Sequence, residues 1–528
     1  MTQFKDLPED WDVIVIGGGI TGAGILLEAG RMGLRVLLLE RNDFAWGTSS
    51  RSTKLIHGGF RYLKEGKIGL TRASVEERER LLRAAPGLVE RLGFLLPVYH
   101  NRGPGRCTLG AGFALYDLIA RKWDHRFYDP EAFCRLSPHV NREGLAGGFR
   151  FFDAQADDAR LVLRLITEAG TFGSHVEAIN YVEVSRITRD ASGRASGILA
   201  MDREISVERV FRARAVINAT GAWAETLHPS PNPECHLRPL RGSHLVFPSW
   251  IMPTSHALSF FHPADNRPVA VIPWEGALLV GTTDIDYEGD LEQDPAITPA
   301  EISYLLEGLG HAFPGIRFSE KDCFASFAGI RPVLSYGKCD PCRESREHVI
   351  WVQNGLVTIT GGKLTTFRRL ALDALKAAGP FLPSGLAGLG KGPLLRSIAP
   401  VRAKKTGLPV KCRRRLSGRY GSAAEEVIRD SAPEDLETVP GTNTLWAELR
   451  FAAEHEQVRH LSDLLLRRVR IGLVTPEGGA PYLDRIQHLC APVLPWDAAR
   501  WQMERAAYEE LWKKSHAVPD RRKEVPDP

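Results

Sequence analysis

The sequence predicts an α/β fold in which a parallel sheet carries glycine-rich turns at the ends of its strands. Three segments support this prediction, because each is an apolar run that ends in glycine and leads into a helical pattern. They begin near residues 13, 213 and 356, more than a hundred residues apart. We therefore expect one domain assembled from discontinuous segments, with other material inserted between them.

The first of these segments predicts a dinucleotide site. An apolar run at residues 13–16 enters the turn Gly17-x-Gly19-x-x-Gly22, and a second strand pattern ends at Glu40. Gly17 is expected to allow the tight turn, Gly19 to let a pyrophosphate approach the backbone, and Gly22 to let helix and strand pack closely. Glu40 is expected to hold the ribose hydroxyls of an adenosine. Its charge would repel a phosphorylated ribose, which argues against NADP.

Composition limits the classes of protein that fit this chain. At 528 residues it is too long for one hydrophobic core, and its 43% hydrophobic and 25% charged residues are typical of a globular enzyme. A formal charge of +4 gives no reason to expect nucleic acid as a partner. No apolar run reaches the roughly 18–20 residues of a membrane span, and the acidic first residues do not resemble a signal peptide. We expect a cytoplasmic protein whose membrane contact, if any, is peripheral.

The cysteines do not predict a metal site. Only Cys339 and Cys342, of eight cysteines, have the spacing of a metal or redox pair. Zinc or an iron–sulfur cluster would need a second pair or nearby histidines, and none is close in the sequence. We expect loop cysteines in a reducing compartment, with the role of this pair left open.

The material between the glycine-rich segments predicts an antiparallel sheet. Within residues 229–327, strand patterns at 269–274 and 277–281 flank a Glu275-Gly276 turn, which favours a hairpin. Segment 66–100 has a helical pattern with a charged, solvated face.

A basic stretch and a helical tail follow the last glycine-rich segment. Residues 379–400 are rich in Gly, Pro and Leu and indicate a linker, whereas residues 445–473 show helical periodicity. After the linker, residues 402–419 contain eight cations and no acid: Arg402, Lys404, Lys405, Lys411, Arg413, Arg414, Arg415 and Arg419. This stretch is either a solvated connector or a contact with anionic lipid.

A segment rich in hydroxyl groups, cations and glycines, residues 47–63, follows the first dinucleotide unit. Its small hydroxyl residues could bond a pyrophosphate or a flavin ring. Five further motifs are Gly242-Ser-His244, Ile272-Pro-Trp274, Gly281-Thr-Thr-Asp284, Gly329-Ile-Arg-Pro332 and Gly361-Gly-Lys-Leu-Thr-Thr366. In this order the motifs closely resemble the FAD-dependent glycerol-3-phosphate dehydrogenases, from about residue 10 to 375 and more thinly beyond.

The resemblance implies a glycine-oxidase-like flavoprotein fold, α/β or α+β in class. It has a Rossmann-type FAD domain, an antiparallel-sheet substrate domain and a helical C-terminal domain. The expected divisions are an FAD-binding domain of residues 10–85, 150–225 and 328–378, a substrate-binding or cap domain of 86–149 and 226–327, a basic linker of 379–420, and a helical domain of 421–528.

The resemblance also implies a reaction. FAD would oxidise sn-glycerol 3-phosphate to dihydroxyacetone phosphate, and the electrons would pass to a membrane quinone at the inner face of the cytoplasmic membrane. A soluble oxidase that uses dioxygen and a non-catalytic nucleotide-binding regulator remain as alternatives. A related phosphorylated polyol as the substrate, and a homodimer as the assembly, are also open.

An anionic substrate needs fixed cations in its pocket, and the family motifs contain three. Arg61, Arg331 and Lys363 are the expected substrate-binding cations, because arginine suits bidentate phosphate recognition and lysine adds a point charge. Tyr62 is expected to bond the substrate phosphate.

A base must also take the hydroxyl proton. His244 is the expected general base, since neutral imidazole near pH 7 suits this task, and His57 is the alternative. Arg331 is expected to hold the reacting oxygen.

The expected FAD-binding residues cluster in the glycine-rich turns and the hydroxyl-rich segment. They are Gly17, Gly19, Gly22, Glu40, Thr48, Ser49, Ser50, Lys54, Leu55, His57, Gly221, Gly361, Gly362, Lys363, Leu364 and Thr365. The helix that begins near Gly362 is expected to face the negatively charged edge of reduced flavin with its N-terminus.

Overall fold

The computed structural model describes residues 3–64, 66–100, 103–228, 236–335, 347–383, 386–398, 401, 407–429 and 431–519. Its strands are β1 Asp10–Ile16, β2 Val36–Leu39, β3 Leu55–Ile56, β4 Val89–Tyr99, β5 Arg126–Tyr128, β6 Leu145–Ala156, β7 Val176–Ile179, β8 Val182–Arg189, β9 Ala195–Asp202, β10 Val207–Asn218, β11 His236–Pro248, β12 Ala257–Phe261, β13 Pro268–Trp274, β14 Ala277–Gly281, β15 Ile285–Asp286, β16 Ala325–Ser335, β17 His348–Gln353 and β18 Leu356–Gly361. Its α-helices are α1 Ile20–Arg31, α2 Phe60–Lys64, α3 Ile68–Ala84, α4 Arg106–Ala120, α5 Pro130–Leu136, α6 Asp158–Gly170, α7 Ala224–Leu227, α8 Pro299–Ala312, α9 Phe367–Ala378, α10 Val410–Tyr420, α11 Glu426–Arg429, α12 Trp446–His455, α13 Leu461–Asp463, α14 Ile471–Val474, α15 Leu483–Cys490 and α16 Ala498–Ser515.

Eight strands form the first sheet, which we call the nucleotide sheet. Its central strands β7, β2, β1, β10 and β18 are parallel, while β17 and the β8–β9 hairpin extend it antiparallel. Val13 and Val15 face a core shared with α1, α6 and α9, whereas Ile14 and Ile16 face a core shared with β8 and β9. Burial on both faces explains the uninterrupted apolar run of β1. The three predicted units lie side by side, which confirms their assembly into one sheet.

Ten strands form the second sheet, which is mostly antiparallel. The predicted hairpin is confirmed, since β13 and β14 pair around Glu275 and Gly276, both at positive φ. The helical prediction for residues 66–100 is wrong in its second half, because α3 ends at Ala84 and β4 follows. Pro86 cannot donate the backbone hydrogen bond that a helix needs, and β4 instead pairs with β6 along its whole length.

The C-terminal helices pack on the second sheet. Trp446, Leu449 and Leu465 share one hydrophobic core with Trp274 and Phe327 of that sheet. The helical prediction for residues 445–473 is confirmed, although the helices there are short. No helix in the described ranges has the length and apolar character needed to cross a bilayer.

Buried arginines join the C-terminal segment to the nucleotide sheet. Arg468 donates two hydrogen bonds to Asp43, at 2.5 and 2.8 Å, and Arg467 donates a third. All three side chains are buried. Burial would raise the pKa of Asp43, but the guanidinium groups of Arg468 and Arg467 lower it to about 2. Asp157 is held in the same way by Arg470 and Arg419.

The basic stretch is not a free cationic surface. Arg402, Lys404 and Lys405 lie outside the described residues, but Arg419 is buried between Asp157 and Glu275 at 2.8 and 2.9 Å. Arg415 pairs with buried Glu448 at 2.6 Å, and Arg413 donates to the carbonyls of Val401 and Leu408. The alternative of a lipid contact is therefore wrong for Arg415 and Arg419, because acids from other parts of the fold neutralise them.

The domain divisions remain a prediction. β3 and most of β16 fall within the predicted FAD-binding segments, but they belong to the second sheet, where they pair with β6 and β11. Cys339 and Cys342 lie outside the described residues.

Candidate functional site

A cavity of about 410 Å³ lies at the carboxyl ends of the parallel strands. Open α/β sheets bind nucleotides at this edge. The predicted site residues in its walls are Gly17, Gly19, Glu40, Thr48, Ser49, Gly221, Gly361, Gly362, Lys363 and Leu364. Folding thus brings the three glycine-rich turns around one space.

The first glycine turn leaves no room for a side chain at Gly17 or Gly22. Gly17 has a φ of +109°, and a Cβ on Gly22 would lie 1.9 Å from the Gly17 carbonyl oxygen. The side chain of Ser49 accepts a hydrogen bond from the Ile20 amide at 2.9 Å, which caps the helix. Backbone amides and the positive end of α1 therefore face the cavity, as a pyrophosphate requires.

Glu40 is held at the cavity wall by the backbone. Its carboxylate accepts hydrogen bonds from the amides of Gly18 at 2.6 Å and Asn42 at 2.8 Å. Burial raises the pKa of Glu40, and these two hydrogen bonds oppose that shift. The position at the end of β2 is the one expected for contact with a ribose.

The opposite wall is formed by the turn before α9. Gly361 and Gly362 have φ of +79° and +77°, and Cβ atoms there would lie 2.7 Å from the Glu347 carbonyl and 2.6 Å from Leu370. This turn places the Lys363 ammonium 3.6 Å from the centroid of the Tyr62 ring. Two predicted substrate residues are thus brought together.

His57 and Thr365, both predicted cofactor residues, are neighbours in the structure. Thr365 Oγ1 donates to the His57 carbonyl at 3.4 Å, and the half-buried His57 ring stacks near Tyr62 with centroids 6.5 Å apart. The backbone of Arg61 lies in α2, and its side chain is outside the described residues.

His244 is buried in the second sheet, between β14 and β16. A Cβ on Gly281 would lie 2.3 Å from its ring, so the glycine makes room for the imidazole, which stacks on Phe327 at 4.7 Å. Nε2 is 3.0 Å from Thr53 Oγ1, whereas the buried Nδ1 has no hydrogen-bond partner among the described residues. Burial, and then the charges of Arg331 and Lys54, lower the pKa of His244 well below 6.5. The ring is therefore neutral at physiological pH.

Arg331 is oriented by the loop between β14 and β15. It donates to Asp284 at 2.6 Å, to Thr282 Oγ1 at 2.9 Å and to the Thr283 carbonyl at 3.2 Å. A Cβ on Gly242 would lie 2.2 Å from its guanidinium group, so glycine is needed there. This region borders the cavity, because the carbonyl of Ile330, next in the chain, accepts from the cavity residue Thr48 at 2.5 Å.

Six of the predicted cofactor residues do not line the cavity: Gly22, Ser50, Lys54, Leu55, His57 and Thr365. Lys54 is fully buried and donates to both carboxylate oxygens of Asp158 at 2.9 Å. Burial lowers the pKa of Lys54 to about 8, and the charge of Asp158 opposes that shift. Ser50 is buried with its carbonyl 2.5 Å from the Lys54 ammonium, and Leu55 lies in β3. Asp158, which binds the Lys54 ammonium away from the cavity, lies at the start of α6, 104 residues further along the chain.

Sequence reasoning missed several residues of the site. Trp46 and Trp223 line the cavity with ring centroids 5.8 Å apart, and each adjoins a glycine-rich motif. Thr53 and Asp284 contact the candidate catalytic side chains. Asp284 ends one of the family motifs, so its position in that motif was the available signal.

The cavity is lined by a glycine turn, by an acid at the end of the next strand, and by Pro332, which follows Arg331 in the chain. This combination is typical of a dinucleotide-dependent oxidoreductase. The residues present fit FAD, since the glycine turn at residues 17–22 has no room for Cβ atoms at Gly17 and Gly22 and places backbone amides beside the Glu40 carboxylate. The family model described as FAD dependent oxidoreductase matches residues 12–368, and the model of the C-terminal domain of alpha-glycerophosphate oxidase matches residues 386–501.

Similar proteins agree with this class. Glycerol-3-phosphate dehydrogenase 2 of Mycobacterium tuberculosis is 35% identical, covering 95% of this chain and 88% of the relative. The aerobic glycerol-3-phosphate dehydrogenase of Staphylococcus aureus is 30% identical, covering 96% and 95%. The structure of the Bacillus halodurans glycerol-3-phosphate dehydrogenase complexed with FAD aligns with a TM-score of 0.73 and 27% identity over 96% of this chain and 95% of that one. Glycine oxidase from Geobacillus kaustophilus, at 21% identity and a TM-score of 0.55 over 74% of this chain and all of that one, shares the fold.

The chain belongs to the FAD-dependent glycerol-3-phosphate dehydrogenase family, and FAD is its cofactor. The expected glycine-oxidase-like fold is confirmed.

Proposed function

We propose that this protein oxidises sn-glycerol 3-phosphate to dihydroxyacetone phosphate and passes the electrons to a membrane quinone, working at the inner face of the cytoplasmic membrane. The observation that carries the proposal is the buried, neutral His244 near the cation Arg331, with an Nδ1 that has no hydrogen-bond partner in the described part of the chain. This pair supplies a proton acceptor and an oxygen-binding group, which the oxidation of a secondary alcohol requires. The names of the relatives in two bacterial genera support the choice of substrate.

His244 acts as the general base in this proposal. When its Nε2–H donates to Thr53 Oγ1, the lone pair of Nδ1 is available to take the proton of the substrate's central hydroxyl. Arg331, held by Asp284 and Thr282, orients the reacting oxygen and stabilises negative charge on it. When bound, FAD supplies the acceptor for the hydride from the central carbon.

Lys363 and Tyr62 bind the substrate phosphate in this proposal, together with Arg61. Lys363 follows two glycines at positive φ, which place its ammonium group at the cavity wall against the ring of buried Tyr62. A phosphate that reaches this ammonium would also lie near the start of α9, where backbone amides favour an anion.

Anaerobic reduction of the bound flavin tests the substrate and the base. sn-Glycerol 3-phosphate should bleach the flavin absorbance, and His244→Ala should slow this step about 100- to 10,000-fold. His57→Ala is the matched control and should slow it much less. A large loss for His57→Ala with a normal rate for His244→Ala would reverse the two assignments. Glycerol, which lacks the phosphate, should be a poor reductant; equal rates with both compounds would contradict the phosphate site.

The electron acceptor is tested by turnover with a soluble quinone analogue and with dioxygen. We expect fast turnover with the quinone and slow formation of peroxide. Stoichiometric peroxide in air, at the rate reached with quinone, would instead identify an oxidase.

A further inference from the structure

A buried carboxylate holds residues 57–62, which we call the substrate segment because they carry Arg61 and Tyr62. The Gly58 amide donates a hydrogen bond of 3.0 Å to Oδ1 of Asp153, a residue of strand β6. Asp153 is buried and lies outside the cavity wall. Any effect of this carboxylate on a bound substrate therefore acts through the segment that it holds.

The same peptide unit is held on its other side as well. The Gly58 amide and the His57 carbonyl belong to one peptide bond, and Thr365 Oγ1 donates to that carbonyl at 3.4 Å. Thr365 lies two residues after Lys363, in the turn before α9. Because the peptide is planar and is hydrogen-bonded at both its N–H and its C=O, these contacts fix its orientation between β6 and the turn that carries Lys363.

Two helices supply the other partners of Asp153. Arg78 of α3 donates to Oδ1 at 2.5 Å, and the Tyr116 hydroxyl of α4 donates to the same oxygen at 2.8 Å. Arg78 is buried and also donates to the Tyr116 hydroxyl at 2.8 Å. A buried carboxylate needs an opposite charge and several donors, and Arg78, Tyr116 and Gly58 together provide them.

The packing around Gly58 leaves the substrate segment little freedom. A Cβ on Gly58 would lie 2.1 Å from the Tyr116 hydroxyl and 2.6 Å from a methyl group of Val75. Helices α3 and α4 therefore confine the segment at the residue whose amide Asp153 binds. Tyr62 follows four residues later, and its ring centroid is 3.6 Å from the Lys363 ammonium. The place of Tyr62 beside Lys363 thus depends on how Gly58 is held.

We propose that Asp153 is a positioning residue for the substrate phosphate, because its hydrogen bond from the Gly58 amide sets where the substrate segment lies relative to Lys363. The inference rests on the proposed function, which assigns Arg61, Tyr62 and Lys363 to the phosphate. Loss of the acceptor at position 153 weakens binding of the phosphate. It leaves the limiting rate of hydride transfer unchanged, because the segment then contributes equally little to the ground state and to the transition state.

Two double variants separate this hydrogen bond from the buried ion pair. Asp153→Asn/Arg78→Met and Asp153→Leu/Arg78→Met both remove the two charges, so neither leaves a buried charge without its partner. Only asparagine keeps an oxygen that can accept from the Gly58 amide, which makes the asparagine variant the matched control. Flavin content and thermal unfolding show whether each variant is folded.

Two measurements report on the substrate phosphate. Anaerobic reduction of the flavin by sn-glycerol 3-phosphate gives a half-saturating concentration and a limiting rate, and calorimetric titration with dihydroxyacetone phosphate gives an affinity without electron transfer. We expect the leucine variant to bind both compounds about 10- to 100-fold more weakly, with a limiting rate within about threefold of wild type. The asparagine variant should stay within about threefold of wild type in every measurement.

Equal affinities of the two double variants, whether both normal or both weakened, would overturn the inference, because the oxygen that faces Gly58 would then make no difference. A loss confined to the limiting rate would also overturn it. If the leucine variant does not retain FAD, Thr365→Val provides the test, since it removes the hydroxyl on the other side of the same peptide. This variant should bind dihydroxyacetone phosphate about three- to tenfold more weakly, and unchanged binding would overturn the inference.

The wild-type protein separates this inference from the proposed function. Normal flavin reduction in wild type, with equal affinities of the two double variants, overturns only the role of Asp153. Wild type whose flavin is not reduced by sn-glycerol 3-phosphate contradicts the proposed function. In that case, weaker binding of dihydroxyacetone phosphate by the leucine variant than by the asparagine variant still supports the role of Asp153.

Discussion

Asp43 provides a quantitative test of how the C-terminal segment is held to the nucleotide sheet. The change Asp43→Asn keeps the size of the side chain but removes the charge that Arg467 and Arg468 share. Arg467 retains Asp463 as a partner, whereas Arg468 is left with the carbonyls of Glu456 and Gln457. The substitution therefore leaves a buried guanidinium group without a carboxylate.

The structure sets the size of the effect. Arg468 and Arg467 overcome the effect of burial and lower the pKa of Asp43 from 3.8 to about 2. A tenfold change in an acid dissociation constant corresponds to about 1.4 kcal/mol, so this shift amounts to roughly 2 to 3 kcal/mol. Leaving a buried cation unpaired typically costs about 3–5 kcal/mol. We expect Asp43→Asn to lower the free energy of unfolding within this span of about 2 to 5 kcal/mol.

Urea unfolding of the FAD-loaded protein at neutral pH measures this loss. The matched control is Glu76→Gln, which removes the charge from an exposed ion pair with Arg72 at 3.0 Å and should change stability by no more than about 1 kcal/mol. Because the folded-state pKa of Asp43 is depressed, its contribution is present above about pH 4 and is lost as the pH falls to about 2. Equal stabilities of Asp43→Asn and Glu76→Gln would refute the reasoning.

Two further predictions concern the cofactor and the base. Glu40→Arg should weaken retention of FAD on gel filtration while leaving the fold intact by circular dichroism, because it removes the carboxylate at the end of β2; undiminished flavin content would contradict the ribose assignment. Since burial lowers the pKa of His244 well below 6.5, kcat at saturating substrate should stay constant from about pH 8 to pH 6. A fall in kcat centred near pH 6.5 in wild type would show that the essential base is an ordinary, solvated histidine.

The dinucleotide site could be predicted from the sequence because its determinants are local. The strand, the glycines and Glu40 lie within about thirty residues, and backbone atoms leave no room for a Cβ at Gly17 and Gly22. The same holds for Gly361 before α9. Periodicity likewise predicted the β13–β14 hairpin and the C-terminal helices, since an element buried on one face has apolar residues at a regular spacing along its sequence.

The electrostatic state of individual side chains was decided by folding. The motif predicted Lys54 as a cofactor ligand, but Lys54 pairs with Asp158. The basic stretch predicted Arg415 and Arg419 as surface cations, but Arg415 pairs with Glu448 and Arg419 pairs with Asp157. Desolvation and ion pairing depend on partners that lie outside the motif, from 33 residues away for Glu448 to 262 for Asp157, and only the folded chain brings those partners into contact.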